Sequence, residues 1–165
     1  MAYVDTNVVV AYGFKNDPNH QNARKIIDKI GSQNLISSSI TLVELYSVLS
    51  RRHDQYKPPP ELKKLKADRL IYGLARYLCS LMNLKILPNT PKLDRLDEPS
   101  IYHIYSRAIK LAPELSLKTL DLFHLAYATK FHEDGLVDVF ATLDREILEK
   151  KDIIEMRLGI KIIGP

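Results

Sequence analysis

The chain has no tryptophan and only one cysteine, Cys79, among its 165 residues. A lone cysteine closes no intramolecular disulfide and builds no cysteine-based zinc site, and such sparse use points to a reducing compartment. There is no large excess of either charge: 24 Lys+Arg stand against 20 Asp+Glu, a formal +4 with a pI near 9.1. Hydrophobic residues make up 45% of the chain and charged residues 27%, so the low-hydrophobicity, high-charge signature of disorder is absent. No apolar run approaches the roughly 18–20 residues of a membrane helix. The start, Met1-Ala-Tyr-Val-Asp-Thr-Asn, brings a carboxylate at position 5 where a secretory leader would be apolar. Internal repeats and low-complexity tracts are also missing. These absences lead us to expect one soluble, cytoplasmic domain spanning 1–165 with a substantial core of its own.

The net charge is unevenly placed. Residues 51–76 carry Arg51, Arg52, Lys57, Lys63, Lys64, Lys66, Arg69 and Arg76 against Asp54, Glu61 and Asp68, so this stretch is +5 and the rest of the chain −1. Three prolines in Tyr56-Lys-Pro-Pro-Pro-Glu stop any preceding helix and can start another. Periodicity then predicts a helix over 61–82. Ala67, Leu70, Ile71, Leu74, Leu78 and Leu81 share about 100° of its arc, with Lys66, Arg69, Tyr72 and Arg76 opposite. A basic face bearing one tyrosine suits phosphate-backbone contact with base stacking. The same pattern also describes a solvated helix face whose stripe packs on the core.

Along the rest of the chain, strands are expected at Ala2–Val4, Leu35–Ile36, Leu84–Leu87, Val137–Thr142 and Ile160–Ile163. Helices are expected from Asp17-Pro18 to Gly31, over Ile40–Arg52, over 97–112 and 119–132 with Pro113 between them, and over Asp144–Lys151. Pro88–Pro91 reads as turn. Short apolar strands alternating with helices define an α/β architecture with a mainly parallel sheet. The basic segment at about 53–96 is a helical elaboration of it.

In open α/β sheets, ligands bind beyond the carboxyl ends of the strands, and carboxylates gather there in this sequence. Asp5 follows the first strand and Asp144 the strand ending at Thr142. Glu44 interrupts the apolar run Ile40-Thr-Leu-Val-Glu-Leu-Tyr, and Asp121 lies in the first turn of its helix. Each has a plainer reading. Asp144 and Asp5 suit helix caps, Asp121 suits the helix dipole, and Glu44 suits pairing with Arg24, Arg51 or another cation. Gathered together without fixed counter-charges, these acids would be costly to bury. Hard divalent ions such as Mg²⁺ or Mn²⁺ take all-oxygen ligation, and acidic sites holding one or two of them hydrolyse phosphodiesters.

Val4-Asp-Thr-Asn, Thr-Leu-Val-Glu44-Leu, Leu-Asp121-Leu-Phe-His-Leu-Ala and Ala-Thr-Leu-Asp144-Arg-Glu occur in that order, with 39, 77 and 23 residues between the acids. In this the sequence resembles the PIN-domain nucleases over nearly its whole length, most closely the toxin ribonucleases of prokaryotic toxin–antitoxin pairs. The resemblance implies a three-layer α/β/α sandwich with the acids converging at one sheet edge. Asp5, Glu44, Asp121 and Asp144 would then bind Mg²⁺ or Mn²⁺ and activate water, supported by the polar Thr6, Asn7 and Thr142. The implied reaction is endonucleolytic cleavage of RNA. The implied partners are a second copy, forming a homodimer, and a small antitoxin that inserts a segment, often bearing Arg, near the acids. The 53–96 region is longer here than in the common short toxins.

Two other classes compete. One is a non-catalytic RNA-binding module on the same fold, with Lys66, Arg69, Tyr72 and Arg76 as its surface. The other is an aspartyl phosphatase with Asp5 as nucleophile, which would usually present a second Asp at position 7, where this chain has Asn7. His124 reads as a packing or supporting residue. Its neighbour in sequence, His132, is eight helical residues and roughly 12 Å further on, too far to share one zinc. Tyr102 and Tyr105 read as a packing or dimer contact.

Overall fold

A strand buried on both faces has to be apolar throughout, and Ala2–Val4 (β1) is: all three residues are buried. In the computed structural model, which describes residues 1–88, 92–95 and 100–165, β1 forms the middle of a five-stranded sheet. Its neighbours are Leu35–Ser38 (β2) and Val139–Ala141 (β6), with Lys85–Leu87 (β3) and Lys161–Ile163 (β7) at the edges. All four pairings are parallel, with Tyr3 in register with Ile36 on one side and Phe140 on the other.

The period-two alternation of these strands divides the core. Ala2, Val4, Leu35 and Ala141 face one layer, made with Thr6–Gly13 (α1), His20–Ile30 (α2), Ser39–Arg52 (α3) and Ala67–Leu81 (α4). Tyr3, Ile36, Phe140 and Ile162 face the other, made with His103–Leu115 (α5), Thr119–Glu133 (α6), Arg145–Glu149 (α7) and Lys151–Leu158 (α8). Two helical layers on a parallel sheet make the expected three-layer sandwich.

Three sequence expectations need correction. The helix expected over 61–82 is shorter. A 3₁₀ turn at Pro60–Leu62 is followed by irregular backbone, and α4 begins after an extended Lys66. Leu62 and Leu65 fold back over Gly73, where an added Cβ would meet Leu62 at 3.0 Å, so the leucines pack on α4 instead of prolonging it. Leu81 of the expected buried stripe is exposed, while Leu74, Ala75 and Leu78 are buried.

The second correction concerns the helix expected over 97–112, which starts only at His103. Ser100–Tyr102 (β5) pairs antiparallel with Leu93–Arg95 (β4), a two-stranded ribbon apart from the main sheet. Ile101 and Tyr102 suit strand better than helix. The same helix runs through Pro113 and stops at Ser116, whose φ of 47° is left-handed. Within the last turn a proline removes only one donor, and Ser116 N–H still bonds to Ala112 O at 2.9 Å. The third correction is at Asp17, whose carboxylate accepts from Asn19 N–H at 2.8 Å in a turn, so α2 begins at His20. Most of the turn expected at Pro88–Pro91, and residues 96–99, lie outside the described residues.

Candidate active site

The sheet presents the carboxyl ends of β1, β2 and β6 along one edge, and the acidic residues collect there. Asp5 directly follows β1 and is 3% exposed. It stands at the N-terminus of α1, yet its side chain makes no capping bond. Its Oδ2 instead accepts from Asn7 Nδ2 at 2.8 Å and Thr142 Oγ1 at 2.7 Å. Thr142 Oγ1 in turn accepts from Asp144 N–H at 2.9 Å, and Asn7 Oδ1 accepts from Leu143 N–H at 3.1 Å. Asn7 and Thr142 thereby lock the turn after β6 to the turn after β1. Burial pushes the Asp5 carboxyl above its ordinary value, against the lowering effects of His124 and the Thr142 hydroxyl.

Asp144 is a helix cap, as the plainer reading has it: Oδ1 accepts from the N–H groups of Glu146 at 2.8 Å and Ile147 at 3.2 Å. Both bonds fall on one oxygen, so capping does not consume the carboxylate. Asp121, in the first turn of α6, has a buried Oδ2 with no hydrogen-bond partner. Burial, then the charges of Asp144 and Asp5, lift its carboxyl to about 6. This partnerless oxygen, near the charges of two further carboxylates, could help hold a cation.

Glu44 reaches the same place from α3. Burial alone would raise its carboxyl, but hydrogen bonds from His124 and Thr6 outweigh burial and hold it below its ordinary value. Of the cations that could pair with it, His124 is the main one, and Arg51 contributes a weaker attraction. His124 Nε2 lies 2.9 Å from Glu44 Oε2, 3.4 Å from Thr6 Oγ1 and 3.6 Å from Asp5 Oδ1. The ring is 1% exposed, and its Nδ1 is 2.9 Å from the Tyr3 hydroxyl, itself 2.8 Å from Ser38 Oγ. Burial opposes charge on this imidazole, but Tyr3, Asp5 and Glu44 together hold it well above its ordinary value. Ligand atoms of Asp5, Glu44 and His124 all lie within 4.8 Å of one another, close enough to hold one metal ion.

A cavity of about 470 Å³ opens beside Glu44 and Asp144, while Asp5, Asp121 and His124 are not part of its lining. Glu44, Asp144, Thr6 and Asn7 line it, and Arg52, Lys118 and Arg145 stand on its walls. Lys118 pairs with Glu146 at 2.6 Å. Lys66, Arg69, Tyr72 and Arg76 are all exposed, but none of them lines the cavity. Tyr72 leans on Tyr46 of α3 at a ring distance of 5.1 Å. Tyr105 packs edge-on against Phe123 at 4.9 Å.

Of the four acids proposed from sequence, the structure groups Asp5 and Glu44 at ligand distance, with Asn7 and Thr142 bonded to Asp5 and Thr6 against Glu44, while Asp121 and Asp144 stand outside that group and act on it through their charge. It adds His124 as a direct neighbour of Asp5 and Glu44. The signal for His124 was its position three residues after Asp121, one turn along the same helix face. Tyr3 and Ser38 carried no such signal, because each reads as an ordinary strand residue.

The sequence matches the family model described as "PIN domain" over residues 2–153. No curated protein matches the chain significantly in sequence. Among solved structures, the chain is similar to Mycobacterium tuberculosis VapC20, described as a sarcin-ricin loop cleaving toxin. The TM-score is 0.59 at 16% identity, with both chains covered completely. It is also similar to the DNA-bound VapBC of Salmonella typhimurium, with a TM-score of 0.52, 21% identity, and 98% and 96% of the two chains covered. FitAB bound to a DNA fragment gives a TM-score of 0.50 at 14% identity, with 99% and 94% covered.

Proposed function

Because this chain belongs to the PIN domain family, we propose that the acidic cavity is the active site of a metal-dependent endoribonuclease. The observation that carries the proposal is Asp121, whose buried oxygen lacks any partner beside Asp144 and Asp5. Such an arrangement is relieved either by a proton on one carboxyl or by a cation among its members. Asp5, Glu44, Asp121 and Asp144 would hold Mg²⁺ or Mn²⁺. When bound, the ion lowers the pKa of water and offsets charge on the leaving oxygen.

The chain's own groups do the rest. Asn7 and Thr142 fix Asp5 in one rotamer, and the α7 backbone fixes Asp144. Arg52, Lys118 and Arg145 offer positive charge to phosphates entering the cavity. An RNA strand is the substrate this reading assigns, a second copy and a small antitoxin are its protein partners, and the cytoplasm is its compartment. The likeness to a sarcin-ricin loop cleaving toxin and to VapBC and FitAB supports that assignment.

Incubation of the purified protein with labelled RNA tests it. Cleavage is expected with Mn²⁺, none with EDTA, and a loss of about 10²-fold or more in Asp121→Asn. RNA that is bound yet left intact by the wild type would instead make this a non-catalytic RNA-binding module.

The exposed basic face and the cavity cations make different predictions about binding. Neutralising Arg52, Lys118 and Arg145 together is expected to flatten the salt dependence of RNA affinity, by about 0.7 in log–log slope for each phosphate that no longer meets a cation. Neutralising Lys66, Arg69 and Arg76 is expected to flatten it further if the strand continues over α4. An unchanged slope in that second variant assigns α4 to solvation alone.

A further inference from the structure

Glu44 and Asp5 meet a nitrogen at the point where an all-oxygen site would have only carboxylates, and that nitrogen is built in. His124 is 1% exposed on the buried side of α6. Its two ring nitrogens face different partners: Nδ1 faces the Tyr3 hydroxyl, and Nε2 faces the two carboxylates. Tyr3 sits on the central strand and reaches Ser38 at the end of β2. A file of Ser38, Tyr3 and His124 thus runs from the sheet to the carboxylates of Glu44 and Asp5, built from three separate elements.

We infer that His124 Nε2 is itself a metal ligand, and that Asp5, Glu44 and His124 form a mixed nitrogen–oxygen position selective for a first-row transition ion over Mg²⁺. The inference rests on the metal-dependent reading of the site and names which ion it prefers. Nε2 lies 2.9 Å from Glu44 and 3.6 Å from Asp5, and all three ligand atoms fall within 4.8 Å. Atoms sharing one ion through bonds of about 2.0–2.2 Å lie at separations of this order.

The far side of the ring fits as well. A metal-bound imidazole gives its other N–H to an oxygen that fixes its tautomer and orientation. With an ion in place of the proton that Nε2 shares with Glu44, Nδ1–H would donate to the Tyr3 oxygen, and the Tyr3 hydroxyl to Ser38 Oγ. That assignment aims the Nε2 lone pair between Glu44 and Asp5.

Asp121 feels the charges of Asp144 and Asp5, but among the described residues the ligand atoms within 4.8 Å of one another are those of Asp5, Glu44 and His124. Imidazole nitrogen suits first-row transition ions, whereas Mg²⁺ keeps to oxygen and sheds its water reluctantly. The mixed group therefore discriminates between these ions in a way that four carboxylates do not.

Mn²⁺ added to the full chain without RNA tests this by pulsed electron paramagnetic resonance. The wild type is expected to show the nitrogen modulation of a directly coordinated imidazole. Because the chain has five histidines, the modulation must disappear in His124→Gln for the assignment to stand. Calorimetric titration is expected to show Mn²⁺ affinity reduced about tenfold or more in that variant, with Mg²⁺ affinity changed much less.

A wild-type spectrum without coordinated nitrogen overturns the inference, and that reading does not depend on whether the variant folds. Equal losses for both ions in a folded variant overturn it too. Nitrogen coordination in a protein that cuts no RNA would leave this inference standing and remove the ribonuclease reading. Cleavage without nitrogen coordination would do the reverse.

Discussion

Metal-free protein is expected to be more thermostable at pH 5 than at pH 7.5, and saturating Mn²⁺ to reverse much of that difference. The sign follows from three groups. Asp121 is lifted from 3.8 to about 6, and Asp5 is raised as well. A carboxyl raised on folding favours the native state while it holds its proton, so its contribution fades as pH climbs through that interval. His124 is held well above 6.5. Its contribution is complete below the unfolded value and is lost as pH rises through the folded one.

All three changes therefore reduce stability between pH 5 and 7.5. Glu44 is lowered from 4.5, so its contribution is present above that value and is lost only as pH falls through the lowered one. A divalent ion competes with protons for the same oxygens, and its benefit must grow with pH. At a hundredfold excess over Kd the gain is about 2.7 kcal/mol, or roughly 5–10 °C for a chain of this size. Scanning calorimetry at the two pH values, with and without Mn²⁺, measures it. A metal-free melting temperature that rises with pH, or an equal Mn²⁺ increment at both values, would refute the account.

That coupling was partly legible in the sequence, and the limits of legibility have physical causes. Asp5, Glu44, Asp121 and Asp144 stand out because each interrupts or ends an apolar segment, which is expensive unless the charge is used. The parallel order of the strands followed from their short apolar runs and intervening helices. Failures came where local pattern and packing disagree. Residues 62–65 carry helical periodicity, yet Leu62 and Leu65 are drawn onto Gly73. Pro113 reads as a helix break, yet so near the helix end it removes only one bond. His124 is polar at a buried position, and its partners Tyr3 and Glu44 are 121 and 80 residues away in sequence. No local window contains such a relation.

Asp144 shows that a structural role and a chemical role can share one side chain, and two substitutions separate them. Its Oδ1 caps α7 through Glu146 and Ile147. Asn caps about as well as Asp, so Asp144→Asn is expected to keep the melting temperature of the metal-free protein within about a degree. It removes the charge that adds to the repulsion on Asp121, so the Asp121 carboxyl should fall toward its ordinary value. RNA cleavage in Mn²⁺ is nonetheless expected to drop by about 10²-fold or more, because a neutral amide replaces a carboxylate ligand. Asp144→Ala loses both functions. Its activity should match that of the Asn variant, while its stability falls by about 1 kcal/mol, the ordinary cost of a lost cap. Urea unfolding and cleavage rates on the same preparations decide the matter. Full activity in Asp144→Asn would reduce this residue to its cap, leaving Asp5, Glu44 and Asp121 to hold the ion without it.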